Sequence, residues 1–258
     1  MRLIVTRPAA QAAAWVEELR ACGLDAVALP LIEIAPPDDP APLRAAWQQL
    51  PACSLVMFVS ANAVSHFFEH ATGPWPAGVR AGSTGPGTSA ALREAGVAPA
   101  AIVQPPADGA RFDSEALWAQ LADEPWAGRQ VLVVRGEDGR DWLAETLRAR
   151  GASVSFVAAY RRRPPQPDAP RRAGLEAALR EPARHLWLFS SSEAVGHLQA
   201  LVPGADWSAS RALASHPRIA QAARQAGFGQ VHELAAPGAG AVAAWLAQQG
   251  PSIQSAAP

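Results

Sequence analysis

The chain repeats itself, and the repeat limits what it can fold into. Leu3-Ile4-Val5-Thr6-Arg7, with Leu19-Arg20 and Gly23 beyond, lines up without a gap with Val131-Leu132-Val133-Val134-Arg135, Leu147-Arg148 and Gly151. A second stretch, Met57-Phe58-Val59-Ser60-Ala61-Asn62-Ala63-Val64-Ser65-His66, lines up with Leu188-Phe189-Ser190-Ser191-Ser192-Glu193-Ala194-Val195-Gly196-His197. That register persists through Pro86/Pro217, Arg93/Arg224, Gly96/Gly227 and Pro106/Pro237. With the first stretch called a and the second b, the order along the chain is a, b, a, b. A chain of 258 residues can form one large α/β domain or two smaller ones. The repeat selects two.

Two proline-rich breaks divide the repeats. Leu29-Pro30-Leu31-Ile32-Glu33-Ile34 runs into Ala35-Pro36-Pro37-Asp38-Asp39-Pro40-Ala41-Pro42. Val157-Ala158-Ala159-Tyr160-Arg161-Arg162-Arg163 runs into Pro164-Pro165-Gln166-Pro167-Asp168-Ala169-Pro170. Neither helix nor central strand continues through such runs. One break follows each copy of a, so the middle b and a form one domain and the outer a and b close into the other. The expected organisation is residues 1–34 with 171–258 as domain 1 and 43–158 as domain 2. Residues 35–42 and 159–170 are the two linkers.

Within each repeat, short apolar runs alternate with helical periodicity, which argues for parallel sheets covered by helices. Strands are expected at Leu3–Thr6, Asp25–Leu29, Leu55–Val59, Val79–Ser83, Ala101–Gln104, Val131–Val134, Val154–Tyr160, Leu186–Ser190, Arg211–Ser215 and Gln230–Leu234. A helix over about Ala9–Cys22 would put Trp15, Leu19 and Cys22 on one face and stop at Gly23. Others are expected at Leu43–Leu50, from Ser60 to about His70, and at Ser89–Ala95 after a tight turn Thr84–Thr88. Further helices fall at Ser114–Leu121 capped by Asp113, Asp138–Arg150, Arg171–Arg180, from Ser191, after a turn at His216–Arg218, and at Ala239–Gln249. Gly250–Pro258 is expected to fray. The fold class is α/β, two similar doubly wound parallel-sheet domains joined by a two-stranded β linker.

Composition removes several chemistries. All 22 basic residues are arginine, so a Schiff-base lysine and a P-loop lysine are excluded. Cys22 and Cys53 are isolated and the six histidines lack ligand spacing, so neither a disulfide framework nor a metal site is expected. A net charge of −1 leaves no broad footprint for nucleic acid. No apolar run approaches a membrane span, and Leu3-Ile4-Val5 is too short for a signal-peptide core, so a cytoplasmic protein is expected.

In parallel sheets ligands bind at the carboxyl ends of the strands, beside helix N-termini. The polar residues there are Thr6-Arg7, Ser60 and Asn62, Thr84 and Thr88, Arg135 and Glu137, Ser190-Ser191-Ser192, and Ser215, His216 and Arg218. Hydroxyls, amides and guanidinium groups in these places suit carboxylates or phosphates, although each Ser or Thr singly also suits an ordinary helix cap. Arg7 and Arg135, at equivalent positions, are better anion candidates than Arg161–Arg163, which reads as a solvated strand end. Gly85-Pro86-Gly87-Thr88-Ser89-Ala90 fits G-x-G-x-x-A. It follows an internal strand, however, and no acid ends the next one, so a turn without phosphate is the better reading. His66 and His197 read as packing or surface groups. Tyr160 is the sole tyrosine. It either packs between domains or uses its phenol, and phenols are protonated at neutral pH.

The motifs taken together resemble the uroporphyrinogen-III synthase family. They are Val5-Thr6-Arg7-Pro8, Leu29–Ile34, Phe58–Val64, Gly85-Pro86-Gly87-Thr88, Val134-Arg135-Gly136-Glu137, Ala159-Tyr160-Arg161-Arg162, Phe189–Val195 and Ala226-Gly227-Phe228. The resemblance spans Leu3 to about Gln249. It implies two flavodoxin-like domains and a reaction without cofactor, in which hydroxymethylbilane loses water and cyclises with inversion of its last ring, through a spirocyclic intermediate. It puts the family's tyrosine on Tyr160, assisting departure of the terminal hydroxyl, and its hydroxyl residues on Ser60, Thr88 and Ser191. Where the family commonly has a threonine in the last unit, this chain has Ser215-His216-Pro217-Arg218-Ile219, which makes Arg218 a candidate carboxylate clamp. The implied partner is the small-molecule substrate, eight carboxylates on a flexible tetrapyrrole, with neither nucleic acid nor membrane. A monomer is expected, and association with the preceding pathway enzyme stays open. Two alternatives remain at this stage: a non-catalytic tetrapyrrole or small-anion binding protein of the same fold, and a nucleotide-binding oxidoreductase acting through Gly85–Ala90.

Overall fold

The structure is a computed structural model and describes residues 1–106, 112–139, 141–234 and 238–249. Eleven described strands alternate with helices: β1 (Arg2–Val5), β2 (Ala26–Ala28), β3 (Glu33–Ala35), β4 (Leu55–Phe58), β5 (Arg80–Ser83), β6 (Ile102–Val103), β7 (Gln130–Gly136), β8 (Ser153–Arg163), β9 (His185–Phe189), β10 (Arg211–Ala214) and β11 (Gln230–Glu233). The helices are α1 (Ala9–Ala21), α2 (Ala41–Gln49), α3 (Ala61–Phe68), α4 (Pro86–Glu94), α5 (Ser114–Trp118), α6 (Trp142–Ala149), α7 (Ala169–Arg180), α8 (Ser192–Leu201), α9 (Pro217–Gln225) and α10 (Ala239–Gln248). The chain divides into two compact units. Unit 1 is Met1–Glu33 with Arg163–Pro258, and unit 2 is Ile34–Arg162.

Each unit is built on one sheet, and the two sheets share a plan. Unit 1 has the order β2-β1-β9-β10-β11, and unit 2 has β8-β7-β4-β5-β6 with β3 added outside β8. In both, the two strands of an a repeat are followed in space by the strands of a b repeat. Unit 1 meets a first along the chain and unit 2 meets b first, so one sheet is a circular permutation of the other. The register agrees residue for residue. Leu3 pairs with Leu186 and Ala26, and its repeat partner Val131 pairs with Leu55 and Val154. Arg211 pairs with Leu186 as Arg80 does with Leu55. These pairings are parallel, giving the order 2-1-3-4-5 of flavodoxin-like folds. The agreement breaks at the outermost strand. After Gly96 a 3-10 turn, Pro99–Ala101, delays β6 to Ile102, whereas β11 begins at Gln230 soon after the equivalent Gly227. The repeat pair Pro106/Pro237 is seen only from Pro106. Pro237 and the tail Gly250–Pro258 lie outside the described residues.

Burial on both faces explains why the central strands are continuously apolar. In β4, Val56 and Phe58 enter one core with Val64 and Phe67, while Leu55 and Met57 enter another with Leu143 and Leu147. Fully burying such a side chain contributes about 2 kcal/mol, and all five residues of β9 are buried for the same reason. Gly23 and Gly151 end α1 and α6 with φ of 79° and 86°, a backbone region that residues with a Cβ avoid.

Three local expectations need correction. The buried face of α1 is Ala12, Val16 and Leu19, a spacing of i, i+4, i+7, and Cys22 caps the helix as an exposed residue. The tight turn expected at Thr84–Thr88 is shorter than predicted. Pro86 takes the first position of α4, where its missing N–H costs nothing, so Thr88 already lies in the helix. Helix α6 starts at Trp142 rather than Asp138.

The two proline-bounded stretches lie together within the six-stranded sheet. β3 neighbours β8. Arg161 donates from Nε to the Pro36 carbonyl (3.1 Å) and ion-pairs with Asp38. Arg162 and Arg163 are exposed, as a solvated strand end should be; Arg161 departs from that reading. Among the described residues no helix is long and apolar enough to cross a membrane.

Candidate active site

Tyr160 sits in unit 2, near the carboxyl end of β8. Its placement depends on an irregularity in the ladder. Arg135 of β7 is opposite Ala158, but the next residue, Gly136, is opposite Tyr160, so β8 carries one extra residue. A bulge of this kind re-aims the side chain that follows it. The ring, 3% exposed, then lies directly on Gly136. A Cβ at Gly136 would stand 3.1 Å from both Cε2 and Cζ of the tyrosine. Glycine is therefore the residue that lets the ring lie there.

The phenol oxygen reaches Ser60, Oη to Oγ 3.2 Å. Ser60 is also the N-cap of α3 and accepts the Ala63 amide at 3.2 Å. With one lone pair given to the helix, its hydroxyl still has a hydrogen and a second lone pair for Tyr160. His66, two turns into α3, stacks beside the ring at 6.2 Å between centroids and 27° between planes. Its Nδ1 is 3.3 Å from Glu69 Oε2. The backbone completes the group: the Glu137 amide donates to the Tyr160 carbonyl (3.2 Å), while the Glu137 side chain is exposed. Three sequence candidates, Tyr160, Ser60 and Glu137, thus meet at one strand end.

The other unit 2 candidates surround this point unevenly. Thr84 donates to the carbonyl of Val59, the residue before Ser60 (3.3 Å). Asn62 is half-buried in the first turn of α3, and Thr88 is buried in that of α4. Arg135 is held elsewhere. Its guanidinium lies 4.3 Å above the Phe156 ring and ion-pairs with Asp141. The G-x-G-x-x-A stretch is occupied by its own chain. Ser83 Oγ accepts the Gly85 amide (3.2 Å), donates to the Gly85 carbonyl (2.8 Å) and receives Ser89 Oγ–H (2.8 Å), so the first glycine's N–H is engaged.

Unit 1 presents the repeat-equivalent set. Thr6 is fully buried and donates to the Leu188 carbonyl (2.7 Å), tying β1 to β9. Ser191 caps α8 by accepting the Glu193 amide (3.2 Å), and Ser190 is half-buried just before it. His216 caps α9: its Nδ1 accepts the Arg218 amide (3.1 Å), so this nitrogen carries no hydrogen. His216 and the Arg218 side chain are exposed. Arg7 stacks 4.2 Å over Trp15, and burial lowers its pKa against the opposing pull of Glu18. Val5, Arg7, Trp15, Leu188, Phe189, Ser190, Leu213, Ser215 and Leu234 line a recess of about 10 Å³.

Gly136, His66 and Trp15 are site residues that the sequence alone does not single out. Gly136 carries a signal in its place at the end of a strand, beside an arginine. His66 reads there as a packing or surface group, and Trp15 only as part of a face of α1. Among the described residues no group of three or more His, Cys, Asp or Glu side chains is arranged to hold a metal ion.

Fold and site together define a class, a double flavodoxin-like protein with its polar groups at the carboxyl ends of parallel strands. Comparison with known proteins narrows it. The family model described as uroporphyrinogen-III synthase HemD matches residues 13–243. Uroporphyrinogen-III synthase of Salmonella typhimurium is 32% identical over 241 residues, covering 88% of this chain and 92% of that protein. The Escherichia coli protein of the same name is 30% identical over 239 residues, with the same coverage. Two solved structures share the fold. A variant uroporphyrinogen III synthase from Thermus thermophilus has a TM-score of 0.56 at 19% identity, over 96% of this chain and 98% of that one. The Helicobacter pylori uroporphyrinogen-III synthetase has a TM-score of 0.55 at 17% identity, over 96% and 99%. The chain belongs to the uroporphyrinogen-III synthase family.

Proposed function

We propose that the chain closes hydroxymethylbilane to uroporphyrinogen III, a step of haem biosynthesis, and that Tyr160 helps the terminal hydroxyl leave. Family membership supports the reaction. The observation that carries the role of Tyr160 is the Tyr160–Ser60 contact: a buried ring with its hydroxyl bonded to a side chain that also caps α3.

In the first step the phenol O–H gives its proton to the departing hydroxyl and the C–O bond breaks, releasing water and leaving a cation on the terminal methylene. The substituted α-carbon of the last ring attacks that methylene to give the spirocyclic centre, and its old bond to the neighbouring bridge methylene then breaks, moving the cation there. The free α-carbon of the inverted ring attacks this second methylene and closes the macrocycle. The ring carbon's proton, lost on closure, restores the phenol. Ser60 can give a hydrogen bond to the phenolate and take one from the phenol, so it serves both states. General acid assistance of this kind contributes about 10²–10⁴ in rate. The remaining work is orientation, bringing the two ends of a flexible chain together. Arg7, Asn62, Thr84, Thr88, Glu137, Ser190, Ser191, His216 and Arg218 are assigned to the substrate's acetates and propionates and to its pyrrole N–H groups, which need distributed partners rather than one charge cluster. Arg135 joins that set as its weakest member, because Asp141 already engages it.

The test is the ring isomer. Purified protein with hydroxymethylbilane and no added cofactor should yield type III uroporphyrinogen. Type I alone, the product without inversion, contradicts the assignment.

A further inference from the structure

The repeat places an arginine at the same point of both sheets, and the two are treated differently. Both sit over the face of an aromatic ring: Arg135 over Phe156 at 4.3 Å and Arg7 over Trp15 at 4.2 Å. Stacking holds the guanidinium plane and leaves its edge for hydrogen bonds. In unit 2 that edge is taken by the Asp141 carboxylate. In unit 1, among the described residues, Arg7 makes no ion pair and no side-chain hydrogen bond, and its Nε is buried without an acceptor. Arg211 also has a buried, unsatisfied Nε, but another of its nitrogens bonds the Ala183 carbonyl. Arg7 alone of these two has no acceptor on any nitrogen.

A buried cationic donor without a partner is unfavourable, and burial already depresses the pKa of Arg7. The recess lined by Arg7, about 10 Å³, is flanked by Ser190 and Ser215. That volume admits a single oxygen atom and excludes a ring. We propose that Arg7 is a receptor for one substrate carboxylate, with one oxygen on Nε–H in the recess and the other on an Nη–H, in the side-on fork that arginine offers and lysine does not. Ser190 and Ser215 supply hydroxyls at the rim. The role that Asp141 plays internally for Arg135 is then played for Arg7 by an acetate or propionate of the tetrapyrrole. This deepens the functional reading above and rests on it for the identity of the ligand.

The experiment is steady-state kinetics with hydroxymethylbilane on wild type, Arg7→Gln and Arg135→Gln, with thermal unfolding to show that each variant folds. Loss of one charge-assisted fork predicts a KM raised about tenfold or more for Arg7→Gln, with kcat within about twofold and type III product retained. Arg135→Gln should raise KM by less than about a third as much. A KM for Arg7→Gln equal to that of wild type overturns the proposal. If Arg7→Gln does not fold, Arg7→Lys carries the test. It keeps the charge without the Nε–H, so a KM raised at least about threefold supports the proposal and an unchanged KM overturns it. Should wild type make no type III isomer, the functional reading fails by itself. The Kd of uroporphyrin, a stable octacarboxylate, then tests Arg7 alone: about tenfold weaker binding to Arg7→Gln supports the site, and equal binding overturns it.

Discussion

β2 and β8 occupy the same place in their sheets and end differently. In unit 1, Leu29 and Leu31 turn their amides to β1, bonding Val5 and Thr6 carbonyls at 2.9 and 3.1 Å. Pro30 between them lies with its donorless nitrogen on the outer edge, and no described strand adds there. In unit 2 the equivalent residue is Ala158, whose N–H is intact. β8 runs on to Arg163, β3 pairs outside it, and the bulge beyond Ala158 delivers Tyr160 onto Gly136. A proline in one copy and an alanine in the other separate a short edge from a strand that carries a phenol.

The same contrast recurs along the b repeats. His197 donates Nδ1–H to the Leu31 carbonyl at 2.7 Å, locking α8 to the end of β2, whereas its counterpart His66 stacks on Tyr160. Among the described residues Ser191 is bonded only within its helix cap, while Ser60 caps and also holds the phenol. One scaffold, used twice, has kept its caps and register in both copies and diverged at the strand ends. Unit 2 carries a buried phenol at its strand end, and unit 1 an arginine with no acceptor among the described residues.

The largest effect should come from Tyr160→Phe, which removes one oxygen and no packing. A kcat lower by about 10² or more, with unfolding unchanged within about 1 kcal/mol, is expected from rate and melting measurements. Gly136→Ala comes next. Its Cβ must displace a buried ring, so a loss of about 1–3 kcal/mol in denaturant unfolding and a kcat lower by about tenfold are expected. Adding Gly136→Ala to Tyr160→Phe should cost little further kcat, because the substitution acts through the phenol. Ser60→Ala and Ser191→Ala should each lose about 1 kcal/mol of cap stability. Only Ser60→Ala should also lower kcat, by several-fold; equal kcat in the two variants would erase the difference drawn between the copies.

The smallest effect is electrostatic. Arg80 grips Glu124 through two bonds of 2.7 Å and Arg129 adds a third at 3.0 Å, whereas its counterpart Arg211 has a carbonyl partner instead. The Arg80 hydrogen bonds, foremost, hold the Glu124 pKa below the usual glutamate value of 4.5. A depressed carboxylate stabilises the fold above its unfolded pKa, and that contribution disappears as pH falls through the lower folded value. Glu124→Gln should therefore cost less than about 1 kcal/mol at pH 7 and nothing once Glu124 is protonated, measured by urea unfolding across that range.

Much of the fold was legible because its determinants are local. Gly23 and Gly151 mark helix ends by a backbone requirement that only glycine meets readily, and the a, b, a, b order with its two proline breaks was enough to pair the repeats into two sheets. Tyr160 stood out by being alone. Ser60 and Glu137 were legible beside it as strand-end residues, but the seat of its ring was not. The bulge exists only once β7 and β8 are paired, so Gly136 could not be recognised as the seat of the ring. Arg7 and Arg135 look alike in sequence, and what separates them is an acid contributed by Asp141 in one unit and by no described residue in the other. The glycines around Pro86 suggest a turn that would include Thr88, whereas proline at the first helical position is equally an opening of a helix.

The most direct measurement is the ring isomer and its rate of formation from hydroxymethylbilane, taken side by side for wild type and Tyr160→Phe. The account predicts rapid type III formation by wild type and about 10²-fold slower type III formation by Tyr160→Phe, with type I from unassisted closure overtaking it. Type III formed by Tyr160→Phe at the wild-type rate would contradict it.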